Sequence, residues 1–186
     1  DVGVDHYTVY VDGTRDSQVT TTSATVDGLA GATTYDFHVT AVDGAGNESD
    51  PSNTLTTSTT DGTAPSAPSN LSSPSQSAFA VDLSWDASSD DVGVDHFAVY
   101  VDGTRDSQVP VGTTSTTVDG LAQNTTYDFH VTAVDGAGNE SDPSNTVSAT
   151  THDTTAPTAP SNLSSPSQSS STVDLSWDAS SDDVGV

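Results

Sequence analysis

Two short polar stretches hold the oxygen donors best placed to do chemistry. Asp90, Asp91 and Asp95 lie in one, and Asp135, Asn139 and Asp142 in the other. Carboxylate and amide oxygens are hard donors, and Ca2+ takes about 6–8 of them, so a calcium site is one reading. The spacing is not that of an EF-hand loop. The other reading is turn chemistry, in which Asp and Asn bond their own backbone and shape the chain locally. Only geometry separates the two. No cofactor is required by either.

The remaining reactive side chains form weaker patterns. Ser and Asp are abundant, but His6, His38, His96 and His130 fall on outward positions, so no Ser–His–Asp geometry is expected. His96 and His130 could form a transition-metal pair, yet no third ligand has an obvious place. Antiparallel pairing should in any case set His130 nearer Tyr100. Thr14-Arg15-Asp16 and Thr104-Arg105-Asp106 lack the Gly of an integrin-type tripeptide, and local Arg–Asp pairing on a hairpin is expected. Sequons occur at Asn47, Asn70, Asn124, Asn139 and Asn162, candidate N-glycosylation sites in an exported protein.

The elements that position these residues read as strands. Apolar residues alternate with period two between Gly, Pro, Asn and Asp, and no helical period is visible. Val81, Leu83 and Trp85 should face inward, followed by Phe97, Val99 and Val101, then Tyr127, Phe129, Val131 and Ala133. Leu121 should also be buried. Asp102-Gly103 should turn the chain between two strands.

The pattern recurs. Asp1-Val2-Gly3-Val4-Asp5-His6 returns as Asp91-Val92-Gly93-Val94-Asp95-His96, and Asp183-Val184-Gly185-Val186 starts a third copy. The offset is 90 residues at Asp1/Asp91 and 92 at Tyr35/Tyr127 and Trp85/Trp177. Residues 33–53 and 125–145 are identical. A repeat this long is a whole domain rather than a solenoid unit. Both ends of the chain fall inside a repeat at the same phase. The expectation is a window on a longer array, or a subunit completed by its neighbour.

Composition narrows the function. Asp and Glu number 27 against two Arg and no Lys, a net charge of -25. High charge can mean disorder, but the clean alternation argues for a fold with an acidic skin. Self-repulsion on this scale weakens a compact state, and molar salt, with a screening length of about 3 Å, relieves it. The surface resembles that of proteins from halophilic microbes. Nucleic acid is disfavoured as a partner, since phosphate binding needs Lys/Arg patches. There is no Cys or Met, so no disulfide or thiol chemistry, and no run long enough for a membrane span. A signal peptide is not visible, nor would a chain starting within a repeat show one.

The order of residues carries a family resemblance. It runs Ala-Pro-x-Ala-Pro, Leu71, Trp85, Phe97/Val99, then Gly120-Leu121-x-x-x-Thr125-x-Tyr127-x-Phe129-x-Val131-x-Ala133, then Asp135-Gly136-Ala137-Gly138-Asn139. This resembles a fibronectin type III domain, of the microbial kind found beside secreted polysaccharide-degrading enzymes and on cell-surface proteins. The resemblance implies an all-β, immunoglobulin-like, seven-stranded β-sandwich, with strands A, B and E facing C, C′, F and G. It implies that Trp85 is a core residue and Tyr127 a corner residue. It places the two oxygen-rich stretches in the B–C and F–G loops at one end, with Asp61 of the linker entering there too. It brings no enzymatic activity.

On that frame, residues 1–60 are a partial domain with strands C to G, 61–153 a complete domain, and 154–186 strands A and B of a third. Five strands without their A–B partner would expose a wide apolar face. Docking of the tail onto the first strands of another copy would repair both. The expected function is therefore an extracellular or cell-surface structural protein, a fibre or stalk assembled head-to-tail from copies of itself or continuing as an array. The alternatives are spacer domains of a secreted polysaccharide-degrading enzyme, or a surface adhesion module.

Overall fold

The computed structural model describes residues 3–184. Thirteen strands and no helix make up the described chain. Among the described residues no helix is long and apolar enough to cross a membrane. The strands are β1 (Val4–Val11), β2 (Thr14–Val19), β3 (Thr34–Asp43), β4 (Leu55–Ser58), β5 (Ser69–Gln76), β6 (Ala80–Asp86), β7 (Val94–Val101), β8 (Thr104–Pro110), β9 (Ser115–Asp119), β10 (Thr126–Asp135), β11 (Val147–Thr150), β12 (Ser161–Gln168) and β13 (Val173–Asp178).

The central unit is a two-layer sandwich. One sheet has the order β5-β6-β9 and the other β11-β10-β7-β8. This is the expected arrangement of A, B and E against G, F, C and C′. The inward residues of the alternating runs meet between the layers. Val81, Leu83, Trp85, Phe97, Val99, Val118, Phe129, Val131 and Ala133 form one buried cluster. Trp85 and Phe97 meet edge to face at 5.5 Å between ring centres, an orientation that suits their quadrupoles. Tyr127, Leu121 and Val101 pack on the cluster but stay half-buried, because they cap its rim rather than fill its centre. Asp102 and Gly103 both adopt positive φ, 49° and 75°, the geometry of a type I′ hairpin turn.

Asn145 closes the sandwich at its open edge. Its Oδ1 accepts from the Leu71 N–H at 3.0 Å and its Nδ2 donates to the Leu71 carbonyl at 2.9 Å. That stitches β5 to the segment leading into β11 without a regular ladder. Pro65 and Pro68 are buried just before β5 and deny that entry segment the N–H groups an edge would need to pair with other chains.

The flanking segments are incomplete. The first forms a single sheet, β2-β1-β3-β4, and the tail a two-stranded sheet, β12-β13. Residues 23–27 match β9 in sequence except for one position, yet form no strand. The ladder partner of β9 is β6, and the first segment contains no counterpart of β6.

Candidate functional site

The end of the central sandwich gathers three loops. The linker before β5 brings Asp61, the turn between β6 and β7 brings Asp90, and the end of β10 brings Asp135. One carboxylate oxygen from each lies within 4.8 Å of the others. Of the six residues read from sequence, Asp90 and Asp135 are thus brought together, and Asp61 joins them. Asp91, Asp95 and Asp142 are exposed and lie outside the cluster. Asp95 instead accepts from His96 Nδ1 at 2.9 Å. Asn139 serves as support: its Nδ2 donates to Asp135 Oδ2 at 2.7 Å and reaches the carbonyls of Asp61 and Thr63 at 3.4 and 3.3 Å.

Each carboxylate is set by short-range backbone bonds. Asp61 Oδ1 accepts the Thr63 N–H at 3.0 Å, and Asp90 Oδ2 accepts those of Val92 and Gly93 at 3.0 and 2.9 Å. Asp135 Oδ1 accepts from Ala137 and Asn139 at 2.9 and 2.8 Å. Turn chemistry is therefore present, as one of the two readings expects. Burial pushes the Asp135 carboxyl up, but the Asn139 side chain and the N–H groups of Asn139, Ala137 and Gly138 outweigh it and hold it below its ordinary value. The arrangement offers hard, anionic oxygen donors and no nucleophile–base pair.

The histidines are occupied otherwise. His96 Nε2 contacts Gln108 Nε2 at 2.8 Å and Arg105 Nη2 at 3.0 Å. Arg105 thus reaches an imidazole rather than the Asp beside it. His130 lies opposite Tyr100 in the ladder, and the two rings stack at 4.6 Å. A further group was not legible as a unit: Tyr100 and Thr132 both donate to Glu140 Oε1, at 2.8 and 2.6 Å. The Thr132 bond, then the Tyr100 bond, lowers the Glu140 pKa, and the bond to Glu140 raises that of Tyr100. The signal was there: Glu48 and Glu140, at matching positions, are the only Glu in the chain. Glu140 pins the loop after β10 onto the outer face of its sheet, and Glu48 does the same after β3 through Tyr10 and Thr40.

The fibronectin type III domain family matches residues 1–58 and 66–150. The chain belongs to that family. Chitinase A1 of Niallia circulans is 46% identical over 155 residues, 81% of this chain and 22% of that protein. Exoglucanase B of Cellulomonas fimi is 41% identical over 196 residues, all of this chain and 18% of its own length. The chain thus spans about a fifth of these relatives. The FN1–FN3 domains of chicken CNTN1 share the fold at a TM-score of 0.51 and 22% identity, over 80% of this chain and 56% of that one. Fibronectin type III domains are non-catalytic modules, although the relatives named are enzymes.

Family features fall where the resemblance implies. Tyr127 Oη accepts the Ala122 N–H at 3.0 Å, and Tyr35 Oη accepts that of Ala30 at 2.9 Å, the corner bond of this fold. Among the sequons, Asn70, Asn124 and Asn162 have positive φ of 53°, 47° and 52°, so they serve the backbone as turn or bulge residues. Asn70 and Asn162 donate through Nδ2 to Asp86 and Asp178, and Asn47 to Asp43.

Proposed function

We propose that the chain is a non-catalytic extracellular spacer within a polysaccharide-degrading enzyme, its domains separating modules that lie elsewhere in the parent. The similarity to chitinase A1 and exoglucanase B, over most or all of this chain but about a fifth of each enzyme, carries the reading. Two near-identical copies suit a spacer, which needs length rather than a singled-out site. Mixing the purified chain with insoluble chitin and glucan tests it. The chain should stay in the supernatant and release no sugar. Saturable retention would replace the spacer by a carbohydrate-binding role.

The finer surface chemistry points to high salt. A net charge of -25 with two Arg is a surface that gains from a short screening length, and supports a halophilic source.

A head-to-tail contact is a second reading, favoured by two uncovered faces. Val39 on the first sheet is 36% exposed, and Leu163, Val173, Leu175 and Trp177 on β12-β13 are all more than half exposed. A groove of about 290 Å3 lies on the first sheet between Tyr7, Val9, Val19 and Val39. Their counterparts Phe97, Val99, Val109 and Val131 are covered in the complete domain. A hairpin of the β12-β13 sequence, from a second copy or from continuing chain, would cover those residues as β5-β6 covers the central sheet. Negative-stain images of the purified chain should then show filaments, and isolated single molecules would end the fibre reading.

A further inference from the structure

We propose that Asp61, Asp90 and Asp135 bind a hard divalent cation of the calcium type, which ties the linker to both loops at the end of the sandwich. The three carboxylates come from segments far apart in sequence, so no single turn explains their meeting. Their facing oxygens lie within 4.8 Å of one another. A cation bound at calcium distances, about 2.3–2.6 Å, spans oxygens separated by up to about 5 Å. The donors are all oxygen, which selects calcium or magnesium over softer metals.

Two oxygens point to a ligand directly. Asp61 Oδ2 and Asp90 Oδ1 are shut off from solvent, and no hydrogen-bond donor reaches either. A buried carboxylate oxygen without a donor is costly, and two of them facing a third carboxylate are costlier. Asp135, the third, is only 3% exposed. Its Oδ1 takes two N–H bonds, while its Oδ2 takes one from Asn139 and keeps a lone pair. No side-chain ammonium can answer this charge, since the chain has no Lys. Arg105 is engaged at His96.

The pattern returns at the next linker. Asp153 and Asp182 stand 92 residues after Asp61 and Asp90, and they cluster with Asp183. Asp182 Oδ1 is again buried with no donor, matching Asp90 Oδ1. Asp153 Oδ1 again accepts an N–H two residues on, from Thr155 at 2.9 Å. Its third member, Asp183, already accepts from Gln123 Nε2 at 2.9 Å and Thr155 Oγ1 at 3.3 Å, so this cluster should bind more weakly. The rival account is a proton shared between facing carboxylates, which requires no metal. A cation would instead fix the direction in which the linker enters each domain, making the stiffness of an array depend on calcium.

The test is calorimetry with CaCl2 on the full chain in molar KCl, where nonspecific attraction to the acidic surface is screened. One tight, saturable equivalent is expected. Asp61→Asn alters a half-buried linker residue outside the hydrophobic core cluster, and should lower the affinity at least tenfold. Asp43→Asn alters the matching loop residue of the first segment, which among the described residues faces no such cluster, and should leave the affinity unchanged. Melting curves without calcium confirm that each variant is folded. Absence of saturable heat overturns the site and favours the shared proton. Affinity untouched by Asp61→Asn, or lost instead in Asp153→Asn, overturns the assignment.

Discussion

Residues 33–53 and 125–145 are the same sequence in two surroundings. Both form a ten-residue strand, β3 and β10, each paired with the strand that precedes its hairpin, β1 and β7. The registers agree residue for residue: Val39 faces Val9 as Val131 faces Val99. Burial does not agree. Phe129 and Val131 are fully buried, whereas Phe37 is half-buried and Val39 is 36% exposed. Ladder, hairpin and corner are therefore local properties of the sequence. The core is not: it exists only where β5, β6 and β9 cover the sheet. The tail shows the converse, since β12 and β13 repeat the sequence and pairing of β5 and β6 with their apolar face bare.

The sharpest test of that contrast is a pair of Trp substitutions. Trp85 is 3% exposed and its match Trp177 is 57% exposed. Trp85→Ala should destabilise the complete domain by about 3–5 kcal/mol, the cost of a large core deletion. Trp177→Ala should change stability by less than about 0.5 kcal/mol, as at other surface positions. Urea unfolding of both variants at low protein concentration measures the difference. Equal losses would mean that Trp177 is covered after all, and a dependence on concentration would assign the cover to a second copy.

Much of this was legible in advance, and the failures have physical causes. Alternation placed Val81, Leu83, Phe97, Val99, Phe129 and Val131 inward because a half-buried strand cannot read otherwise. Thr132 alternates with the inward Val131 and Ala133 and so faces outward, yet it is only 5% exposed because Glu140 folds over it. Nothing in the period of a strand reports what a neighbouring loop will cover. Leu121 and Tyr127 were read as buried and are half-buried, since the alternation gives the face of a residue but not its distance from the rim. The family frame brings Asp61, Asp90 and Asp135 to one end, and their carboxylates do meet there. Asp91, Asp95 and Asp142 stay outside, Asp95 because it belongs to β7, where it bonds His96. Sharing a loop does not fix which way a side chain points.

Salt should act on both regions, and more on the uncovered ones. With a charge of -25, repulsion opposes every compact arrangement, and screening within about 3 Å at molar salt removes most of it. The melting temperature of the chain should climb steadily from low salt to molar KCl. The first sheet has less apolar burial to set against repulsion, so it should gain order at higher salt than the complete domain does. Circular dichroism melts across a salt series give the first quantity, and hydrogen exchange of β3 against β10 the second. A flat melting curve would remove the high-salt reading of the surface.

The smallest expected effect concerns the two corner bonds. Tyr127 and Tyr35 accept N–H groups from Ala122 and Ala30 at nearly equal lengths, 3.0 and 2.9 Å. A hydrogen bond of this kind contributes about 0.5–1.5 kcal/mol net, and more when its loss leaves a donor without water. Tyr127 packs against the core cluster, so the phenyl of Tyr127→Phe would stay in place with only the bond lost. The complete domain should lose about 1 kcal/mol. Tyr35 opens a sheet with no covering layer, so its ring has no core cluster to hold the bond in place, and Tyr35→Phe should cost well under that. Equal costs would show that the corner is a self-contained local device, stable without the sandwich around it. A large difference would show that even this bond draws its worth from the layer that β5, β6 and β9 supply.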